Sequence, residues 1–355
     1  MRIIFWFLIF FILALRIYSS FIFQPVFPDG TKIRVKSRIA SQPIVYGNFQ
    51  KVTVEGYDVY LPSYPEISYA DRVVIEGKVQ GKKLIDPKLI ELEVESGILS
   101  KLRKEILGFY QRSLPQPHSG LVGGLTLGAK TALPLTFWKA LVKGGTAHVV
   151  VASGMNVSLV AKFLISLMAV FLPRRRAIPF AVSGVWIYSL LSGFDAPIVR
   201  AAIMGSLGFA AQELGRLYDA AKILFLTGAV MLFLKPQWLT DLGFILSFVA
   251  TLSLMLFEGK INHMIRSVPK ILREGFSTSL AAQIGVAPIL FVTFGQFNIL
   301  SPLINALVLW TVAPVTIIAM AGGILGLVIE PLGRLILWLS YPMTSWFVLI
   351  MGLFS

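Results

Sequence analysis

The chain has 355 residues, 56% of them hydrophobic and 14% charged, with 32 basic against 18 acidic side chains. That balance excludes an ordinary soluble domain and a disordered one, and points to an integral membrane protein. Cysteine is absent, which excludes disulfides, thiolate metal sites and cysteine nucleophiles.

Residues 1–23 carry Arg2 and Arg16 and no acid. The apolar run continues through 21–23 with no small-residue cleavage site, so it reads as an uncleaved N-terminal transmembrane anchor. Residues 24–95 change character. Ile33, Val35 and Ile39 alternate with Lys32, Arg34, Lys36 and Arg38, and Ile90, Leu92 and Val94 alternate with Glu91, Glu93 and Glu95. Glycines and prolines punctuate the pattern. It predicts a small antiparallel β domain of about five strands, for which an OB-like barrel is the natural architecture. Across 96–114 the spacing becomes helical, with Ile98, Leu99, Leu102, Ile106 and Tyr110 opposite Lys101, Arg103, Lys104 and Glu105. Such an amphipathic helix lies in the headgroup plane or packs on the β domain; the pattern leaves both open.

Residues 115–355 read as a multi-span membrane domain, so the fold class is a polytopic α-helical membrane protein with a small extracytoplasmic β domain. Segments 120–128 and 131–143 are too short to cross alone and suggest a re-entrant hairpin. Spans are predicted at 148–172, 177–194, 197–214, 219–234, 241–257, 275–294, 299–329 and 333–352. Pro302 and Pro314 predict a broken or strongly tilted helix in 299–329. The stretch 123–130 (GGLTLGAK) approaches a phosphate loop, but its lysine falls one place late, and it is rejected. Residues 114–355 hold 16 basic and 7 acidic residues. The basic ones gather in alternate loops, around 174–176, at Arg216 and Lys222, across 260–273 and at Arg334. The excess therefore reads first as topology: these loops are cytoplasmic, and the β domain and C-terminus lie outside.

Polar groups inside apolar runs need a protein or aqueous partner. Arg200 sits within a span, five residues after Asp195, and Asp241 opens a later span. It reads equally as a phosphate contact on a conducting path or as half of an ion pair with one of those acids. His148, Ser153 and Asn156 share nine residues with Gly154, which either stays helical or unwinds to expose backbone to a cavity. Lys162 faces the same path or snorkels to an interface. Asp241 reads as a helix N-cap. Gln283, Gln296, Asn298 and Asn305 are uncharged donors and acceptors suited to a path that admits and releases a polyanion. In the β domain, Tyr46, Phe49, Tyr57, Tyr60, Tyr64 and Tyr69 accompany the basic edge Lys32, Arg34, Lys36 and Arg38. Aromatics with cations suit single-stranded nucleic acid, and equally fill a core and protect a strand edge.

Four segments, 148–157 (HVVVASGMNV), 192–204 (SGFDAPIVRAAIM), 241–254 (DLGFILSFVATLSL) and 281–315, resemble the ComEC competence family of DNA-uptake channels. With the β domain and amphipathic helix, the resemblance covers nearly the whole chain. Asn156 stands where the family usually has a second histidine. The resemblance implies the short form, without a C-terminal metallo-β-lactamase-like domain. It also implies an inner-membrane channel for single-stranded DNA in natural transformation, with no enzymatic activity, catalytic residue, cofactor or metal. The channel-lining set is then His148, Ser153, Asn156, Lys162, Asp195, Arg200, Asp241, Gln283, Gln296, Asn298 and Asn305. Its expected partners are single-stranded DNA, membrane lipids, a cytoplasmic motor ATPase or strand-capturing proteins, and an outer DNA receptor. The alternative is a secondary transporter or flippase of a smaller anionic solute or lipid. A nonconducting scaffold is the third reading.

Overall fold

The computed structural model describes residues 11–20, 27–39, 43–46, 49–69, 71–94, 97–129, 133–150, 153–213, 215, 219–294 and 298–354. Within the expected anchor, a helix α1 spans Phe11–Ser20. The β domain follows with β1 (Lys32–Arg38), β2 (Ile44–Tyr46), β3 (Phe49–Val54), β4 (Tyr57–Pro62), β5 (Arg72–Gln80) and β6 (Lys83–Glu93). These form one six-stranded sheet in the order β1-β5-β6-β4-β3-β2. The pairing is antiparallel except for a short parallel junction, Asp58 with Lys83 and Val59 with Leu84. The expected alternation holds along β1, where Ile33 is buried and Lys32, Arg34, Lys36 and Arg38 are exposed. Inward residues Val52, Val54, Val59, Leu61, Val73, Ile75, Val79 and Leu84 build the core. The β3–β4 turn puts Glu55 at φ 48° and Gly56 at φ 86°, the two positive values of a tight hairpin turn that follows the strand twist. Gln50, 1% exposed, donates to the Pro62 and Pro65 carbonyls (2.7 Å each) and accepts from Ile67 N (3.1 Å).

Helix α2 (Ile98–Ser113) carries the expected stripe, but Ile106, Phe109 and Tyr110 seat it against the membrane helices rather than the sheet. The two short helices after it are α3 (His118–Leu127) and α4 (Leu135–Lys143). Every residue of α3 is buried, including Gly123, Gly124 and Leu125 of the rejected phosphate-loop stretch. Then come α5 (Ala147–Val150), α6 (Gly154–Ala169), α7 (Arg174–Leu191), α8 (Ala196–Glu213), α9 (Ala220–Leu234), α10 (Leu242–Met264), α11 (Lys270–Phe294), α12 (Ser301–Gly326), α13 (Glu330–Trp338) and α14 (Tyr341–Leu353). Among the described residues, four helical stretches are long and apolar enough to cross a membrane: 147–169, 242–264, 272–293 and 301–326. The chain is a multi-pass membrane protein.

Two expectations change. The 299–329 segment is one continuous helix: Pro302 occupies its first turn, where its missing N–H costs no bond, and Pro314 is held within the body of α12. The 333–352 segment is two helices bent by 47°, because Tyr341-Pro342 starts a new helix after Leu339 and Ser340. Helix α12 is the centre of the bundle. Its Ile304, Val308, Val312, Val315 and Ala319 are buried among α2, α3, α5 and α14. A Cβ on Gly323 would meet Tyr110 Oη at 2.7 Å, one on Gly326 would strike the Phe109 ring, and Tyr110 Oη donates to Ala319 O (2.9 Å). Gly322 likewise faces the backbone of Gly333 and Leu337. Of the small-residue pairs in the sequence, Gly322 and Gly326 serve close packing; Gly205 faces open space.

Candidate functional site

The apolar run that carries His148 is interrupted. Helix α5 ends at Val150 and α6 starts at Gly154, preceded by Ser153 in extended conformation with no side-chain cap. A helix N-terminus has unsatisfied N–H groups and partial positive charge. Arg200 of α8 lies against this end. A Cβ on Gly154 would sit 2.7 Å from Arg200 Nη2, so glycine is what admits the guanidinium. Arg200 Nη1 donates to Ser247 O of α10 (2.7 Å), while Nε is buried with no partner. Among the described residues no carboxylate pairs with Arg200, so the ion pair with Asp195 or Asp241 does not form. Two positive ends therefore converge without a counter-charge, an arrangement that favours an anion.

One turn away the opposite helix end is closed. The last carbonyls of α3 have no partner within their own helix, apart from those taken by Gly128 N and Ala129 N. Asn156 Nδ2 donates to Leu125 O (2.8 Å), Tyr188 Oη to Thr126 O (2.8 Å) and Arg103 Nη1 to Leu127 O (2.8 Å). Arg103 also donates to Leu191 O at the end of α7. Three helices thus cap one. Arg103 and Tyr188 were absent from the sequence-derived set. Arg103 looked like part of a solvated face, and nothing local to either residue names a distant carbonyl.

A second polar group joins the α11–α12 loop to the α4–α5 loop. Gln283 Nε2 donates to Asn298 O (2.8 Å), Asn298 Nδ2 to Lys143 O (2.7 Å), and Ser301 Oγ to Gly145 O (3.2 Å). Asn305 Nδ2 reaches Ser279 Oγ (2.7 Å) and Ser301 Oγ (3.2 Å). The carbonyl oxygens of Asn156, Gln283 and Asn305 are buried without a partner.

The proposed lining residues therefore fall into two groups. Ser153, Asn156 and Arg200 gather at the α6 break; Gln283, Asn298 and Asn305 gather at the α11–α12 loop. Asp241 caps α10 as expected, accepting from Phe244 N (2.7 Å). His148 and Lys162 are exposed, whereas Asn156 is buried. Asp195 is half-buried in the α7–α8 loop. Gln296 lies outside the described residues. On the β domain, Lys32 Nζ is 2.5 Å from Glu76 Oε1, a bond that holds the Glu76 carboxyl below its usual value. Burial pushes the Tyr69 hydroxyl above its ordinary value.

A bundle of this build, with several helices long and apolar enough to cross a membrane, is a polytopic membrane protein. Residues 125–355 match the Competence family, described as competence protein, and the chain belongs to that family. It is 30% identical over 207 residues to ComE operon protein 3 of Bacillus subtilis (strain 168), covering 58% of this chain and 26% of that protein. It is 28% identical over 218 residues to competence protein ComA of Neisseria gonorrhoeae, covering 56% of this chain and 30% of that one. An uncharacterized protein of Aquifex aeolicus (strain VF5) is 32% identical over 180 residues, covering 49% of this chain and 39% of that one. The matched region thus spans well under half of each relative's length. No solved structure matches the chain.

Proposed function

We propose that the chain is the inner-membrane conduit through which single-stranded DNA enters the cell in natural transformation. One observation carries this reading: Arg200, with no carboxylate partner, stands at the uncapped start of α6 inside the bundle. A phosphate passing there meets a guanidinium and backbone N–H groups together, the recurring chemistry of anion sites at helix N-termini. Contacts of this number admit a polyanion and still release it. Membership of the competence family supports DNA as the cargo. The basic loops support a cytoplasmic placement of the α6–α7, α8–α9 and α10–α11 connections, with the β domain outside. The strand order, with its single parallel junction between β4 and β6, supports an OB-like reading of that domain. The chain carries no nucleotide-binding motif, so the energy for transport comes from a cytoplasmic motor ATPase or from proteins that capture the strand.

A second reading is favoured by the α6 break alone. Secondary transporters place half-helix N-termini against small anionic substrates in the same way. Uptake of labelled DNA by cells lacking the protein, complemented with wild type, Arg200→Lys or Arg200→Ala, separates the two. The conduit reading expects uptake with wild type, reduced uptake with lysine, and a loss of about tenfold or more with alanine. DNA uptake that proceeds normally without the protein removes the conduit.

A further inference from the structure

We propose that the groove on the outward face of α13 binds an anionic phospholipid, with the phosphate on Arg334 and Arg112 and an acyl chain along the leucines of the same helix. The fold fixes which face of α13 is offered. Gly333 stands against α12 at backbone contact, and a Cβ there would strike the backbone of Gly326 and Gly322. Leu337, one turn on, is buried beside it. These two residues pin one side of α13, and the other side is turned away from the bundle. That free side carries Leu332, Leu335 and Leu339 at helical spacing, with Leu335 67% and Leu339 62% exposed. Beside the leucines, Glu330, Pro331, Arg334, Leu335 and Trp338 line a groove of about 460 Å³, the size of a site for one small ligand.

Charge and shape together select the occupant. Arg334 Nη2 donates to the Arg112 carbonyl at the end of α2 (3.3 Å), which brings a second cation to the rim of the groove. Arg112 is exposed, turns its guanidinium back over Gly108 and makes no ion pair among the described residues. The acid lining the groove is Glu330, 3.7 Å from Arg334, with both side chains about half exposed. A pair this open is weak and yields to a phosphate, which offers a guanidinium two oxygens at once. Trp338 lies one turn beyond Arg334, 46% exposed, its ring centroid 5.1 Å from that of Tyr341. Its indole N–H has no acceptor among the described residues. Such a ring, apolar in body and polar at one edge, suits the level where acyl chain meets headgroup. A free phosphate would satisfy the arginines and leave the leucine row in water. A zwitterionic lipid would cover the leucines but bring its own cation to the arginines. An anionic phospholipid answers both features.

The test is quenching of Trp338 emission, taken as wild type minus Trp338→Phe, with the full chain in phosphatidylcholine nanodiscs. Brominated phosphatidylglycerol or brominated phosphatidylcholine replaces part of the lipid. The glycerol lipid is expected to quench at the lower mole fraction. Arg334→Gln and Arg112→Gln are each expected to cut that preference about fivefold, the loss of one cation beside an anionic headgroup. Lys222→Gln, which removes an exposed cation at the start of α9, is expected to leave it unchanged. The side chains replaced in all four variants are exposed, so the fold is not at stake. Inorganic phosphate added to the same nanodiscs is expected to leave the quenching curves where they are. Equal quenching by the two lipids overturns the site. So does a preference that Lys222→Gln lowers as much as Arg334→Gln, since it would then belong to the basic surface as a whole. Phosphate that displaces the brominated lipid in an Arg334-dependent way removes the lipid as the occupant.

Discussion

Two helix ends in the bundle invite comparison: the C-terminus of α3 and the N-terminus of α6. At the first, three orphan carbonyls each receive a side-chain donor from a different helix. At the second, the cap position makes no side-chain bond, and the nearest charged group is an arginine of the same sign as the helix end. The α3 end is buried and the α6 end half-buried, and only the first is finished by side-chain donors. A satisfied end holds helices together. An end left open, with a cation placed where its field is already positive, is suited to hold something that arrives.

That contrast is broken or sharpened by perturbing one end at a time. The largest effect is expected from Arg103→Met. It leaves Leu127 O and Leu191 O without their charged donor and is expected to cost about 3 kcal/mol or more, read as a loss of thermal stability in detergent. Tyr188→Phe removes only the donor to Thr126 O, and about 1–2 kcal/mol is expected in the same assay. Arg200→Met inverts the pattern. It removes a poorly satisfied buried cation, so thermal stability stays within about 1 kcal/mol of wild type or rises, while DNA uptake falls. Arg103→Met milder than Arg200→Met in the unfolding assay would erase the distinction between the two ends. Gly154→Ala probes the same site without touching charge. Its methyl displaces the guanidinium, and the expectation is a small stability change with a clear loss of uptake. The smallest effect belongs to the sheet surface. Lys32 holds the Glu76 carboxyl below its ordinary value of about 4.3. The pair's contribution is therefore present above that pH and fades as pH falls through the lowered value. Lys32→Ala is expected to leave stability at neutral pH nearly unchanged, since the pair lies at the solvent-facing surface, and to remove only that acid-range dependence.

Much of this architecture was legible from periodicity. The alternation of Ile33, Val35 and Ile39 with basic residues places β1 and its buried side, and long apolar runs locate α7, α8, α9 and α12 closely while missing one end each of α6, α10 and α11. Gly154 was left as either helical or unwound, and the structure makes it the first residue of α6. Apolar length alone misread 333–352, because it does not register a proline placed to begin a second helix. Arg200 stood out as a charge inside a span; the absence of its carboxylate partner did not, since Asp195 stands five residues away and Asp241 opens another span. Arg103 was hidden for a different reason. Its role depends on carbonyls at 127 and 191, and the backbone acceptor of a residue carries no signature in its side chain.

The notch that Gly323 and Gly326 cut into α12 has a mechanical corollary. With the Phe109 and Tyr110 rings lodged at backbone depth and Tyr110 tethered to Ala319, α2 is keyed against rolling about its own axis. A load passed into α2 is then resolved as a lengthwise pull, which Arg103 on the same helix delivers to the carbonyl end of α3.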